Sequence, residues 1–146
     1  MSNIHLGSLF TAALVGSAAI LASMYILLPA LGLPKLDFTG VTGGWVGANG
    51  RYSKLIGAAV FVAGGVAWAF LYARLWPWHS VPGAIGFVAI PFAFSCLTVL
   101  PSLNQFHVMV TPMPGFVWLK LGGPPSMIAN TVEHLIFALC LGFLYR

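Results

Sequence analysis

The sequence predicts an all-α fold: an integral membrane bundle of four transmembrane helices, with two glycine-, proline- and aromatic-rich connectors capping one membrane face. Three observations carry that expectation. Of 146 residues, 60% are hydrophobic and only 5% charged, whereas a soluble domain of this size is about one quarter charged. Apolar runs of about 20 residues, the length a helix needs to cross a bilayer, occur four times. Between them lie clusters of Gly, Pro and aromatic residues rather than polar linkers. The whole chain reads as one membrane domain.

The first span covers about residues 6 to 33, longer than a straight crossing requires, so it is expected to tilt or to run past the interface. No cleavable signal is expected, because Met1 to Gly7 contains no Lys or Arg and the apolar run that follows is too long. The second span covers about residues 55 to 76 and the third about residues 81 to 101. Trp76-Pro77-Trp78-His79-Ser80 joins them, with interfacial aromatics and a proline that stops the helix. The fourth span is expected over about residues 126 to 146, after Pro124-Pro125, with Ser126 as its N-cap.

An even number of crossings places the connectors Pro34 to Lys54 and Ser102 to Ser126 on the same face. Thr42-Gly43-Gly44-Trp45 and Pro112-Met113-Pro114-Gly115-Phe116-Val117-Trp118 predict turns and short interfacial segments there. That face holds Lys35, Arg51, Lys54 and Lys120 against Arg74 and Arg146 on the other, so the basic residues orient the connectors inward. The net charge of +4 reflects a shortage of acids, since the six basic residues are scattered singly. Nucleic-acid binding is not expected.

Helix packing is legible in small residues, because lipid supplies no hydrophobic drive between helices and close backbone approach must supply contact. Ser8, Ala12 and Gly16 recur every four residues on the first helix. Gly57, Phe61 and Gly65 form a stripe on the second, with Gly64 and Trp68 beside it. Ala138 and Gly142 repeat the spacing on the fourth.

Several of these residues also form a pattern. The run Pro29-Ala30-Leu31-Gly32-Leu33-Pro34-Lys35-Leu36-Asp37, the second-span residues Gly57, Trp68, Phe70 and Tyr72, and the closing His134, Phe137, Leu141, Gly142 and Tyr145 resemble an uncharacterised family of small prokaryotic four-helix membrane proteins, distantly similar to the YagU-like inner-membrane proteins. Phe137-Ala138 departs from that pattern, where a tyrosine-glycine pair is usual. The resemblance implies the four-helix fold and a prokaryotic inner-membrane location. It implies no activity.

Glu133 beside His134 is the most informative pair, because the chain has only two acidic residues and an intramembrane carboxyl is costly unless paired. The two side chains diverge by about 100° around the helix. Glu133 is expected to pair with Lys54 at the mouth of the second helix by snorkelling, with a proton-carrying role as the next reading. His134 lies about 12 Å from the expected helix start, with Asn130 one turn earlier to hydrogen-bond it. A buried hydrogen bond to another helix is favoured for His134. Ligation of a chlorophyll-type pigment or a haem is the sharper alternative. His5, His79 and His107 look interfacial, so a bis-histidine haem is not expected within this chain. Met109, Met113 and Met127 read as packing rather than copper ligands, and Cys96 and Cys140 as small buried hydrophobes.

Three function classes follow, led by a non-catalytic accessory subunit of a larger membrane complex, such as a respiratory or photosynthetic electron-transfer assembly. Other integral membrane subunits and lipid are its expected partners. The alternatives are a pigment- or haem-binding protein with His134 as axial ligand, and a small oligomeric transporter or channel. No nucleophile elbow, phosphate loop or carboxylate pair points to an enzyme.

Overall fold

A computed structural model describes residues 4–48, 52–99 and 123–145. Arg51, the end of the third span, Arg146 and most of the second connector, with His107, Met109, Met113 and Lys120, lie outside them. The described residues form helices and turns only, and four helices are long and apolar enough to cross a membrane.

The first of these runs unbroken from Leu6 to Ala30. It comprises α1 (Leu6–Ala22), a π-helical turn (Ser23–Leu27) and α2 (Leu28–Ala30). It stops short of Leu33 because Gly32 takes a left-handed conformation, φ 68°. The Leu33 N–H then donates to the Leu28 carbonyl and the Gly32 N–H to that of Pro29, a Schellman closure that satisfies otherwise orphaned carbonyls.

The first connector folds more than expected. Phe38–Trp45 forms α3, a short helix capped by Asp37, whose carboxylate accepts from the Gly40 N–H. It packs on α4 (Ser53–Leu75). Leu36, Phe38 and Val41 are buried there, with Phe38 stacked on Phe61 at 5.8 Å. The approach is close enough to bring backbones together. A Cβ on Gly57 would overlap the Thr39 carbonyl, and one on Gly43 would meet the Ser53 carbonyl. The Thr42 hydroxyl donates into the same junction, 2.6 Å from the Gly57 carbonyl.

After the turn at residues 76–80, α5 (Val81–Phe94) begins with Ser80 as N-cap to the Gly83 N–H, and a second π-helical turn (Ser95–Val99) extends it. Pro91 sits one turn before that switch. A proline removes one helical donor, and π turns are a common site of such irregularity. The last helix, α6 (Gly123–Leu144), starts three residues earlier than expected. Pro124 and Pro125 open the helix rather than precede it, as proline can where first-turn N–H groups lack helical partners. Ser126 is accordingly not the N-cap: it is buried, and its hydroxyl has no partner among the described residues.

α1 packs against α4 and α6, and α6 also packs against α5. Small residues make the contacts. Gly16 abuts Phe137 and Cys140, Gly65 faces the Ser17 hydroxyl, and Gly142 lies against the Val81 backbone. Ala12 and Ala138 are fully buried. Ser8 is half-buried and donates to the His5 carbonyl. The stripe on α4 serves two neighbours, since Gly57 receives α3 while Gly65 receives α1.

Although a short turn joins α4 and α5, their backbones approach far less than those of the other neighbours. Aromatic rings hold them apart: Trp68 meets Phe87 and Phe94 edge-on at 6.3 and 5.9 Å, and Trp76 meets Phe87 at 5.7 Å. At the turn end, buried Tyr72 donates toward the Trp78 and Ser80 carbonyls. Its ring, His79 and Tyr145 form a three-way cluster with centroids 5.0–5.9 Å apart.

Gly57→Ala is expected to lower stability by about 1–3 kcal/mol through overpacking at α3, read as a lower thermal midpoint in detergent. Gly64→Ala, whose Cβ would meet nothing within 4 Å, should leave the midpoint equal or higher, since alanine is the better helix former.

Candidate functional site

The two carboxyls of the described chain have opposite surroundings. Asp37 is satisfied on every side: Thr39 donates to one oxygen at 2.6 Å, the Gly40 N–H to the same oxygen at 3.1 Å, and the Lys54 ammonium lies 3.2 Å from the other. The expected pairing of Lys54 with Glu133 is therefore corrected. Lys54 stands in the first turn of α4 with its ammonium on Asp37, whereas neither Glu133 oxygen has a partner among the described residues. With the helix starting at Gly123, Glu133 and His134 sit near the middle of α6, three residues further from its start than expected.

Glu133 has no exposed surface, and neither carboxyl oxygen has a hydrogen-bond partner among the described residues. His134, one residue on, is tethered: its Nδ1 lies 2.8 Å from the Asn130 carbonyl, the Pro91 carbonyl also faces the ring, and Phe92 meets it edge-on at 5.5 Å. Asn130 does meet the imidazole as expected, and it does so through its backbone carbonyl. Its side chain crosses to the end of α5, accepting from the Ser95 hydroxyl at 3.0 Å and donating toward the Cys96 sulfur at 3.6 Å. Cys96 and Cys140 are free and half-buried.

Glu133 and His134 face a shared space. Where α4 and α5 part, a cavity of about 330 Å³ opens, also walled by Ser17 of α1, Phe38 of α3, Gly64 of α4 and Ser95 of the π-helical turn after α5. This volume lies at the low end of small-molecule sites, which run about 300–1,000 Å³. Its lining is apolar and aromatic apart from a few polar groups. Two of these are orphans, the Glu133 carboxyl and the Ser17 hydroxyl.

Sequence reasoning marked Glu133, His134, Asn130 and Lys54. The structure brings the first two to the cavity, places Asn130 behind them as a strut to α5, and moves Lys54 to a separate junction with Asp37. Ser17 and Ser95 were not singled out. A signal for Ser17 existed in its position one residue after Gly16, on the small-residue face. Among the described residues, no three His, Cys, Asp or Glu side chains gather as a metal site.

Among the described residues, an all-helical bundle with four helices of membrane-crossing length and a cavity between them is the class that fold and site define. The chain matches no family model, no curated protein and no solved structure.

Burial pushes the Asp37 carboxyl up, but hydrogen bonds from Thr39 and Gly40 together with the Lys54 ammonium outweigh it, so the group titrates below its ordinary value. A carboxyl depressed in the folded state stabilises that state above its unfolded pKa, and the contribution disappears as pH falls through the folded value. Thermal midpoints of the native protein should therefore fall on acidification below about pH 4. Asp37→Asn should start from a lower midpoint at pH 7 and show a flatter acid limb. For the Ser95–Asn130 bond, a double-mutant cycle with Ser95→Ala and Asn130→Ala should give a coupling of about 0.6 kcal/mol, the average for hydrogen bonds between membrane helices, and no more than about 1.7 kcal/mol. Additive effects would mean that this bond does not join the helices.

Proposed function

We propose that this chain is a non-catalytic, multi-pass protein of a prokaryotic cell membrane that holds an apolar or amphipathic small molecule, such as a lipid chain, between α4 and α5. As an accessory subunit of a larger membrane complex, it would present that molecule at the side where the two helices part. The observation carrying this reading is the cavity itself. Three helix pairs close on small residues, while the fourth is propped open by aromatic rings around a space of small-molecule size. The residues behind the resemblance to small prokaryotic four-helix proteins support the fold: Gly32 closes the first span and Asp37 caps α3.

A bound pigment is the second reading, favoured by the Asn130 carbonyl at Nδ1 of His134. Such a contact can fix the imidazole tautomer in which the other nitrogen is free to ligate. The Pro91 carbonyl against the same ring favours the simpler role of joining α6 to α5.

Native mass spectrometry of protein purified in mild detergent should show a co-purifying small molecule. Gly64→Phe fills the cavity from a position with open space, so it should remove that molecule while the fold, followed by circular dichroism, is retained. Unchanged occupancy in Gly64→Phe would refute the cavity as the binding place. The absorption spectrum of the same preparation reports whether the molecule is a pigment.

A further inference from the structure

The holding of an apolar molecule leaves Glu133 unexplained. A buried polar group without a partner costs about 1–3 kcal/mol, and more if charged. Apolar contents alone would leave both Glu133 oxygens and the Ser17 hydroxyl in that condition. The basic side chains of the described residues do not answer it. Lys54 is held by Asp37, Lys35 lies over the Tyr25 ring at 3.8 Å from its centroid, and Arg74 is in the last turn of α4, at the opposite end from α3.

Glu133 and Ser17, which carry these three unpartnered oxygens, thus both line one cavity, and its remaining walls include Phe61, Trp68, Phe94 and Phe137. A protonated amine offers three N–H donors and no acceptor. Its charge is attracted both to a carboxylate and to aromatic faces in a desolvated site. A neutral hydroxyl or ester offers at most one donor and no charge. We propose that the cavity binds an amphipathic molecule bearing a single basic nitrogen, with its ammonium group donating to Glu133 and Ser17 and its apolar body lying along the aromatic walls toward the gap between α4 and α5. The proposal rests on the cavity reading above and adds the chemistry of the headgroup.

The test compares radiolabelled dodecylamine with dodecanol, which share a tail, on the full chain in phosphatidylcholine nanodiscs, with partition into empty nanodiscs subtracted. Wild type should bind the amine saturably and at least tenfold more tightly than the alcohol. Glu133→Gln, which preserves the shape of the side chain, should abolish that preference, and Gly64→Phe should abolish binding of both. Equal affinities in wild type, or a preference that survives Glu133→Gln, would overturn the headgroup assignment. If the alcohol still binds and Gly64→Phe still blocks it, the cavity reading stands alone. Absence of saturable binding by either compound would overturn both.

Discussion

Where Gly16 meets Phe137 and Cys140, where Gly65 meets Ser17 and where Gly142 meets the start of α5, there is no room for a side chain. Those contacts set the distances of α1 to α4, α1 to α6 and α5 to α6. In a bilayer the lipid tails are as apolar as leucine, so close approach of this kind is what distinguishes helix contact from lipid contact. The pair α4 and α5 follows the opposite rule. With Trp68, Trp76, Phe87 and Phe94 between them, the two helices cannot close. Toward the α3 end, Gly64 and Gly65 replace bulky residues on α4, so the separation remains while its filling disappears. The cavity is the geometric remainder of three tight contacts and one wide one.

Polar groups sort into the same two regimes. Asp37, Thr39, Thr42 and Lys54 form a closed set around the α3–α4 junction, each with an identified partner. Their role is to fasten a short helix that would be marginal alone at eight residues. Asn130 and Ser95 similarly fasten α6 to the end of α5. Glu133 and Ser17, by contrast, sit at the cavity wall with hydrogen-bonding capacity left over. Satisfied polar groups thus mark joints, while Glu133 and Ser17 mark the cavity wall; Ser126 and the Trp76 indole N–H, also without partners among the described residues, are not part of that wall.

Much of the architecture was legible because hydropathy reports helix length directly. The second span, read as residues 55 to 76, is Ser53–Leu75, and the first begins at Leu6 as read. The misreadings have local causes. Pro124 and Pro125 read as a boundary in the sequence, although proline is acceptable in a first turn, and the helix start moves three residues earlier. The helix α3 contains three glycines in eight residues and no apolar periodicity, so only Asp37 as an N-cap could have signalled it. The cavity was not legible at all. It depends on how far apart two sequence-adjacent helices stand, and rings from both of them decide that.

The cluster of Tyr72, His79 and Tyr145 bears on this separation in another way. It ties the turn between α4 and α5 to the final described residue, and the Tyr72 hydroxyl pins the turn's own carbonyls. The turn end of the gap is therefore fastened by hydrogen bonds and ring contacts, while its open length lies toward α3, where Phe38 stacks on Phe61. The segment that joins the two helices is thus also the stop that fixes where the gap ends.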